Sequence, residues 1–216
     1  GLDMWEADTL SVFKDIVADA KVFLDIGANT GAYSLIACAV NQNCKAVAFE
    51  PVPHVHEKLR ENIELNTFKE RIKTHQCALS KETGTASFFI PDGECPADGT
   101  LVDAEDKSQK GSVLEVTVNT VDDLRQKEQW DSVDVVKIDV EGAEPDVLSG
   151  MRKTVEDCKP AVIFEVNPGG PAEELEKYFK EYSYNLYRIT PRGLVKEEHI
   201  RPDETQTHRN YLAKCD

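Results

Sequence analysis

Several things are missing from this 216-residue chain, and each absence narrows what it does. There is no signal-peptide pattern and no apolar run long enough to cross a bilayer, so neither a secreted chain nor a membrane partner is expected. The six cysteines (Cys38, Cys44, Cys77, Cys95, Cys158 and Cys215) form no Cys-x-x-Cys pair and have no histidine at zinc-ligand spacing. No metal site is expected of them, and a reducing cytoplasm is the simplest compartment. Basic residues are scarce: 25 Lys and Arg stand against 40 Asp and Glu, a formal net charge of −15. Proteins that grip phosphate backbones cluster their cations, so a nucleic-acid partner is disfavoured. No Pro/Gly/Ser-rich linker and no internal repeat divides the chain, so residues 1–216 read as one domain.

What is present alternates between strand-like and helix-like segments, the pattern of an α/β domain with a mainly parallel sheet. Residues 22–26 and 46–50 are short apolar runs that read as buried strands, the second stopping at Pro51. A helix is expected from Gly31 to about Val40. Another follows Pro51, because Val55, Leu59 and Ile63 recur every four residues along one face. Residues 71–79 read as a third strand, and 86–90 and 113–118 as further strands flanking a polar insertion, 91–111. So long a loop is either a substrate lid or a plain flexible connection. Residues 133–140 are nearly continuously β-branched and should form the deepest strand. A helix begins near Glu144-Pro145, a strand spans 161–166, and a last helix spans 171–182. Strands at 184–189 and 208–213, joined by a polar turn around Pro191-Arg192-Gly193, close the domain.

Ligands of open α/β sheets bind beyond the carboxyl ends of the strands. There the chain carries Asp25-Ile26-Gly27-Ala28-Asn29-Thr30-Gly31, a tight turn in which Gly27 and Gly31 have no Cβ to keep the backbone from a ligand or a helix from its strand. Glu50 ends the next strand, where a carboxylate accepts hydrogen bonds from ribose hydroxyls. A nucleoside cofactor follows. The dinucleotide fingerprint Gly-x-Gly-x-x-Gly is missing, since no glycine stands two residues after Gly27. Asp25 would repel a pyrophosphate but suits an ammonium group. The loop therefore favours S-adenosylmethionine (SAM) over NAD, although Asn29 or Thr30 would serve equally as a helix N-cap.

Five pieces in order, residues 23–31, 49–51, 78–80, 118–124 and above all 136–144 (Val-Lys-Ile-Asp-Val-Glu-Gly-Ala-Glu), resemble the FkbM family of SAM-dependent methyltransferases. The resemblance implies a Rossmann-like class I methyltransferase fold, a seven-stranded, mostly parallel sheet with helices on both faces and an antiparallel last strand. It also implies O-methylation of a hydroxyl on a small metabolite, sugar or polyketide, with S-adenosylhomocysteine (SAH) as the other product. By matching position, Asp25, Gly27, Asn29 and Gly31 would surround the methionine part, with Ala28 and Thr30 in the same loop. Glu50, followed by Pro51, would hold the ribose, and Ala78 and Leu79 would border the adenine.

A hydroxyl is a poor nucleophile, and a placed carboxylate that takes its proton supplies about 10²–10⁴-fold. Asp139 or Glu141 is the candidate, with Glu165 nearby. Asp139 would pair with Lys137 only at a bend in the strand, while Glu144 and Asp146 suit a helix N-terminus. His54 and His56 lie two apart on a helix and do not share a face, which favours surface or capping roles. Asn167-Pro168 before two glycines reads as a turn, and Trp5-Glu6 could fold over the cofactor. A SAM-binding module without catalysis and an NAD(P)-linked oxidoreductase are the competing readings.

Overall fold

A computed structural model describes residues 6–91, 100–102, 111–205 and 207–215. The central sheet starts from β1 (Val22–Ile26), which runs parallel to β2 (Lys45–Phe49) on one side and to β8 (Val135–Ile138) on the other. Outside β2 lies β3 (Ile72–His75), and outside β8 lies β9 (Ala161–Glu165), both also parallel. Then β12 (Asn210–Lys214) inserts antiparallel between β9 and β10 (Asn185–Thr190), and β11 (Gly193–Glu197) folds back on β10 as the edge. The order is β11-β10-β12-β9-β8-β1-β2-β3.

Period-two alternation assigns the strand residues to two cores. Phe23, Ala46, Ala48, Val135, Ile163 and Leu212 face α1 (Ala7–Val17), α2 (Ala32–Val40) and α3 (Pro53–Leu65). Their neighbours Leu24, Val47, Val136, Val162, Phe164 and Tyr211 face α4 (Val121–Glu128), α5 (Glu144–Ser149), α6 (Arg152–Cys158) and α7 (Ala172–Glu181). A sheet covered on both faces has no polar side, which is why β1, β8 and β9 read as near-continuous apolar runs, interrupted by Asp25 and Lys137 and ended by Glu165. The predicted helix face Val55, Leu59 and Ile63 is buried along α3. Among the described residues no helix is long and apolar enough to cross a membrane.

Three expectations change. Residues 71–79 are not one strand: β3 stops at His75, and the chain crosses to a second sheet as β4 (Ala78–Leu79). That sheet, ordered β4-β7-β5-β6, contains β5 (Gly84–Pro91), β6 (Thr100–Val102) and β7 (Gly111–Asn119). It has its own small core of Val52, Ala78, Phe88, Val116 and Val118. Among the described residues the main sheet has eight strands rather than seven, because the turn at Pro191-Arg192-Gly193 is a hairpin whose second arm is β11. The deepest strand is shorter than 133–140. The Asp134 carboxylate instead accepts from the Lys21 and Val22 backbone N–H groups, both at 2.8 Å.

Candidate active site

The carboxyl ends of β1, β2, β8 and β9 open into a cavity of about 540 Å³, within the size range of small-molecule sites. The first wall is the turn after β1. Gly27 and Ala28 both donate to the Phe49 carbonyl, at 3.1 and 2.9 Å, which ties the turn to the end of β2. Gly27 has φ +78°, and a Cβ there would stand 1.9 Å from the Asp139 carbonyl oxygen. The glycine is thus what lets the loops after β1 and β8 touch. Gly31, at φ +89°, lies outside the cavity lining, where a Cβ would meet Leu59 of α3 at 2.4 Å. These two glycines are required by packing around the cavity, one loop against its neighbour and one helix against another.

Asn29, also left-handed at φ +49°, turns its backbone N–H onto Glu50 Oε2 at 3.0 Å, and Val52 N–H meets Oε1 at 2.9 Å. Glu50 is 7% exposed, and burial raises its pKa to about 7 despite both bonds. Each oxygen keeps a further lone pair for a ligand. Asp25 is buried near the end of β1, where its Oδ2 accepts from the Ser34 N–H and hydroxyl at 3.0 and 2.7 Å. Burial raises its pKa, against the pull of Lys137. Ala28, Thr30 and Pro51 line the same wall. Ala78 and Leu79 form an apolar wall with Cys77, Phe88 and Leu101. Leu101 belongs to the predicted insertion, of which residues 92–99 and 103–110 lie outside the described part.

The opposite chemistry gathers beyond β8 and β9. β8 ends at Ile138, so Asp139 leaves the ladder and its Oδ2 reaches Lys137 Nζ at 2.7 Å, the bend the sequence reading required. The Lys137 side chain is 5% exposed and its Nζ sits 4.5 Å from the centre of the Tyr33 ring. Burial pushes this lysine's pKa down, but Asp139 and Asp25 outweigh it and the pKa ends raised. Glu141, at φ +52°, accepts from Asn167 Nδ2 at 3.2 Å, and Asn167 Oδ1 accepts from Arg209 Nη1 at 3.0 Å. The same Arg209 nitrogen lies 2.7 Å from Glu165 Oε1. Burial first, then the Asp139 charge, raises Glu165 to about 7. Glu144 sits in the first turn of α5 as expected, but its carboxylate turns back to accept from Gly142 and Val140 N–H at 3.1 and 3.3 Å, fixing the loop that carries Glu141.

Twelve of the thirteen predicted site residues therefore line one cavity, Gly31 being the exception. Glu6, which the sequence suggested could fold over the cofactor, lines it too, as do Tyr33, Lys137 and Arg209, which were not expected as site residues. Lys137 left a signal, as a lone cation in a buried β-branched run; Arg209, far along the chain, left none. Glu6 accepts from the Tyr33 hydroxyl, which brings the start of α1 to the cavity; Trp5 lies outside the described residues. Asn167 forms the expected turn, its carbonyl accepting from Gly170 N–H at 2.9 Å.

Residues 25–186 match the Methyltransferase FkbM domain. "Methyltransferase sdnD" of Sordaria araneosa is 28% identical over 76% of this chain and 74% of its own length. "Hexuronic acid methyltransferase AglP" of Haloferax volcanii is 28% identical over 82% and 68%, and "2-O-methyltransferase NoeI" of Sinorhizobium fredii 26% identical over 68% and 65%. Among solved structures, Methyltransferase FkbM from Methylobacillus flagellatus superposes with a TM-score of 0.58 at 18% identity. The match covers 90% of this chain but only 44% of that one, so this chain spans less than half of its length. An O-methyltransferase from Bacillus cereus, in complex with SAH, gives 0.54 at 11% identity, covering 100% and 83%.

Proposed function

The chain belongs to the FkbM family of SAM-dependent methyltransferases, and from that premise we propose that it methylates a hydroxyl of a small molecule. The observation that carries the reading is a single cavity with a carboxylate for ribose at one wall and an ionisable carboxylate cluster at another. Its residues fit SAM. Glu50 keeps acceptor capacity for two ribose hydroxyls, Ala78, Leu79 and Phe88 offer an apolar surface to adenine, and Asp25 and Asn29 lie toward the methionine part. Bound SAM supplies an electrophilic methyl on a sulfonium, so the chain's work is to place the acceptor and take its proton.

Glu165 is the base in this reading. Glu165 is paired with Arg209 as Asp139 is with Lys137, but burial still raises its carboxyl to about 7, so near neutrality and above it can take a proton and hold it. Asp139 and Glu141 orient and polarise the acceptor hydroxyl beside it. The names of the relatives, a 2-O-methyltransferase among them, support oxygen as the nucleophile. The test is methyl transfer from labelled SAM to a panel of hydroxyl compounds, with Glu165→Gln beside the unaltered chain. The expected result is incorporation that the variant loses. Incorporation undiminished in Glu165→Gln contradicts the assignment of the base.

A further inference from the structure

The charge class of the acceptor can be read from the cavity, an inference that rests on the methyltransferase reading above. Near the ends of β8 and β9 the lining carries the carboxylates Glu6, Asp139, Glu141 and Glu165 and two cations, Lys137 and Arg209. Both cations already face a carboxylate, Lys137 buried and Arg209 one-third exposed. Lys137 Nζ lies 2.7 Å from Asp139, on a side chain 5% exposed, and Arg209 Nη1 lies 2.7 Å from Glu165 and 3.0 Å from Asn167 Oδ1. Among the described residues, no cation of the lining lacks a carboxylate partner. An anionic acceptor would either compete with a carboxylate for one of these cations or sit beside the carboxylates of the lining. Either outcome is costly. The chain as a whole adds to this, with a net charge of −15.

We propose that this site rejects acceptors bearing a negative charge beside the reacting hydroxyl, such as uronates and phosphate monoesters. It takes hydroxyls flanked by neutral or cationic groups. The discrimination is achieved by repulsion rather than by an added contact. A relative named for hexuronic acid would then differ from this chain in the charge its acceptor brings.

The test needs no knowledge of the natural acceptor. SAM analogues with nitrogen in place of the sulfonium, and a 2-hydroxyethyl, 2-aminoethyl or carboxymethyl arm in place of the methyl, put each charge where the acceptor sits. Calorimetric titration into the intact chain at pH 8, with SAH as reference, reads their affinities. The carboxymethyl analogue is expected to bind at least about tenfold more weakly than the hydroxyethyl one (~1.4 kcal/mol). The aminoethyl analogue should bind no more weakly than the hydroxyethyl one, and Glu165→Gln should narrow the gap. A carboxymethyl analogue as tight as the hydroxyethyl one, or a gap unchanged in Glu165→Gln, overturns the proposal while SAH binding leaves the methyltransferase reading standing. Failure of SAH itself to bind overturns both.

Discussion

At the scale of single residues, the site depends on two buried carboxylates and one glycine. Burial raises Glu50 and Glu165 from 4.5 to about 7, so between these values the folded chain keeps protons that the unfolded chain has released. Their contribution to stability is full below about pH 4.5 and is lost as pH rises through about 7. Urea unfolding of the chain without ligand at pH 5 and pH 8 should show a steeper loss for the unaltered chain than for Glu165→Gln. With Glu165 as the proposed base, turnover has the opposite dependence, because a base must be ionised. It should rise through about pH 7 and fall about 10²–10⁴-fold in Glu165→Gln, with SAM affinity retained. Gly27→Ala puts a Cβ 1.9 Å from the Asp139 carbonyl at φ +78°. We expect it to cost about 1–3 kcal/mol in unfolding and to lower SAM affinity, as the two loops part.

At the scale of elements, local chemistry explains what the sequence revealed and what it hid. Apolar periodicity marked β1, β2, β9, α2 and α3, because each buries one face or both in a continuous core. The break between β3 and β4 left no such mark. His75 pairs with Phe49, the last residue of β2, and Ala78 pairs instead with Val118 in another sheet, a partner distant in sequence. β11 was equally silent: three of its five residues are exposed and it lies at a sheet edge. The site was more legible than the topology. Turn glycines and strand-end carboxylates announce themselves locally, whereas Arg209 joins Glu165 only through the β9–β12 pairing. Part of the family motif at 118–124 proves to be a helix start. Thr120 Oγ1 accepts from Asp123 N–H at 3.0 Å, so Thr120→Ala should lower unfolding free energy by about 1 kcal/mol without changing SAM affinity. Paired denaturation and binding curves check this.

At the scale of the whole molecule, one doubly covered sheet brings residues as distant as Glu6 and Arg209 to a single opening. In the proposed function, this opening is a SAM site organised by Glu50. Calorimetric titration of SAM into the intact chain and into Glu50→Ala, with circular dichroism to verify that the variant is folded, decides this. One site per chain is expected, weakened at least about tenfold in the variant by the loss of the hydrogen bonds to the Glu50 carboxyl group. No binding of SAM, or equal binding by a folded Glu50→Ala variant, would contradict it.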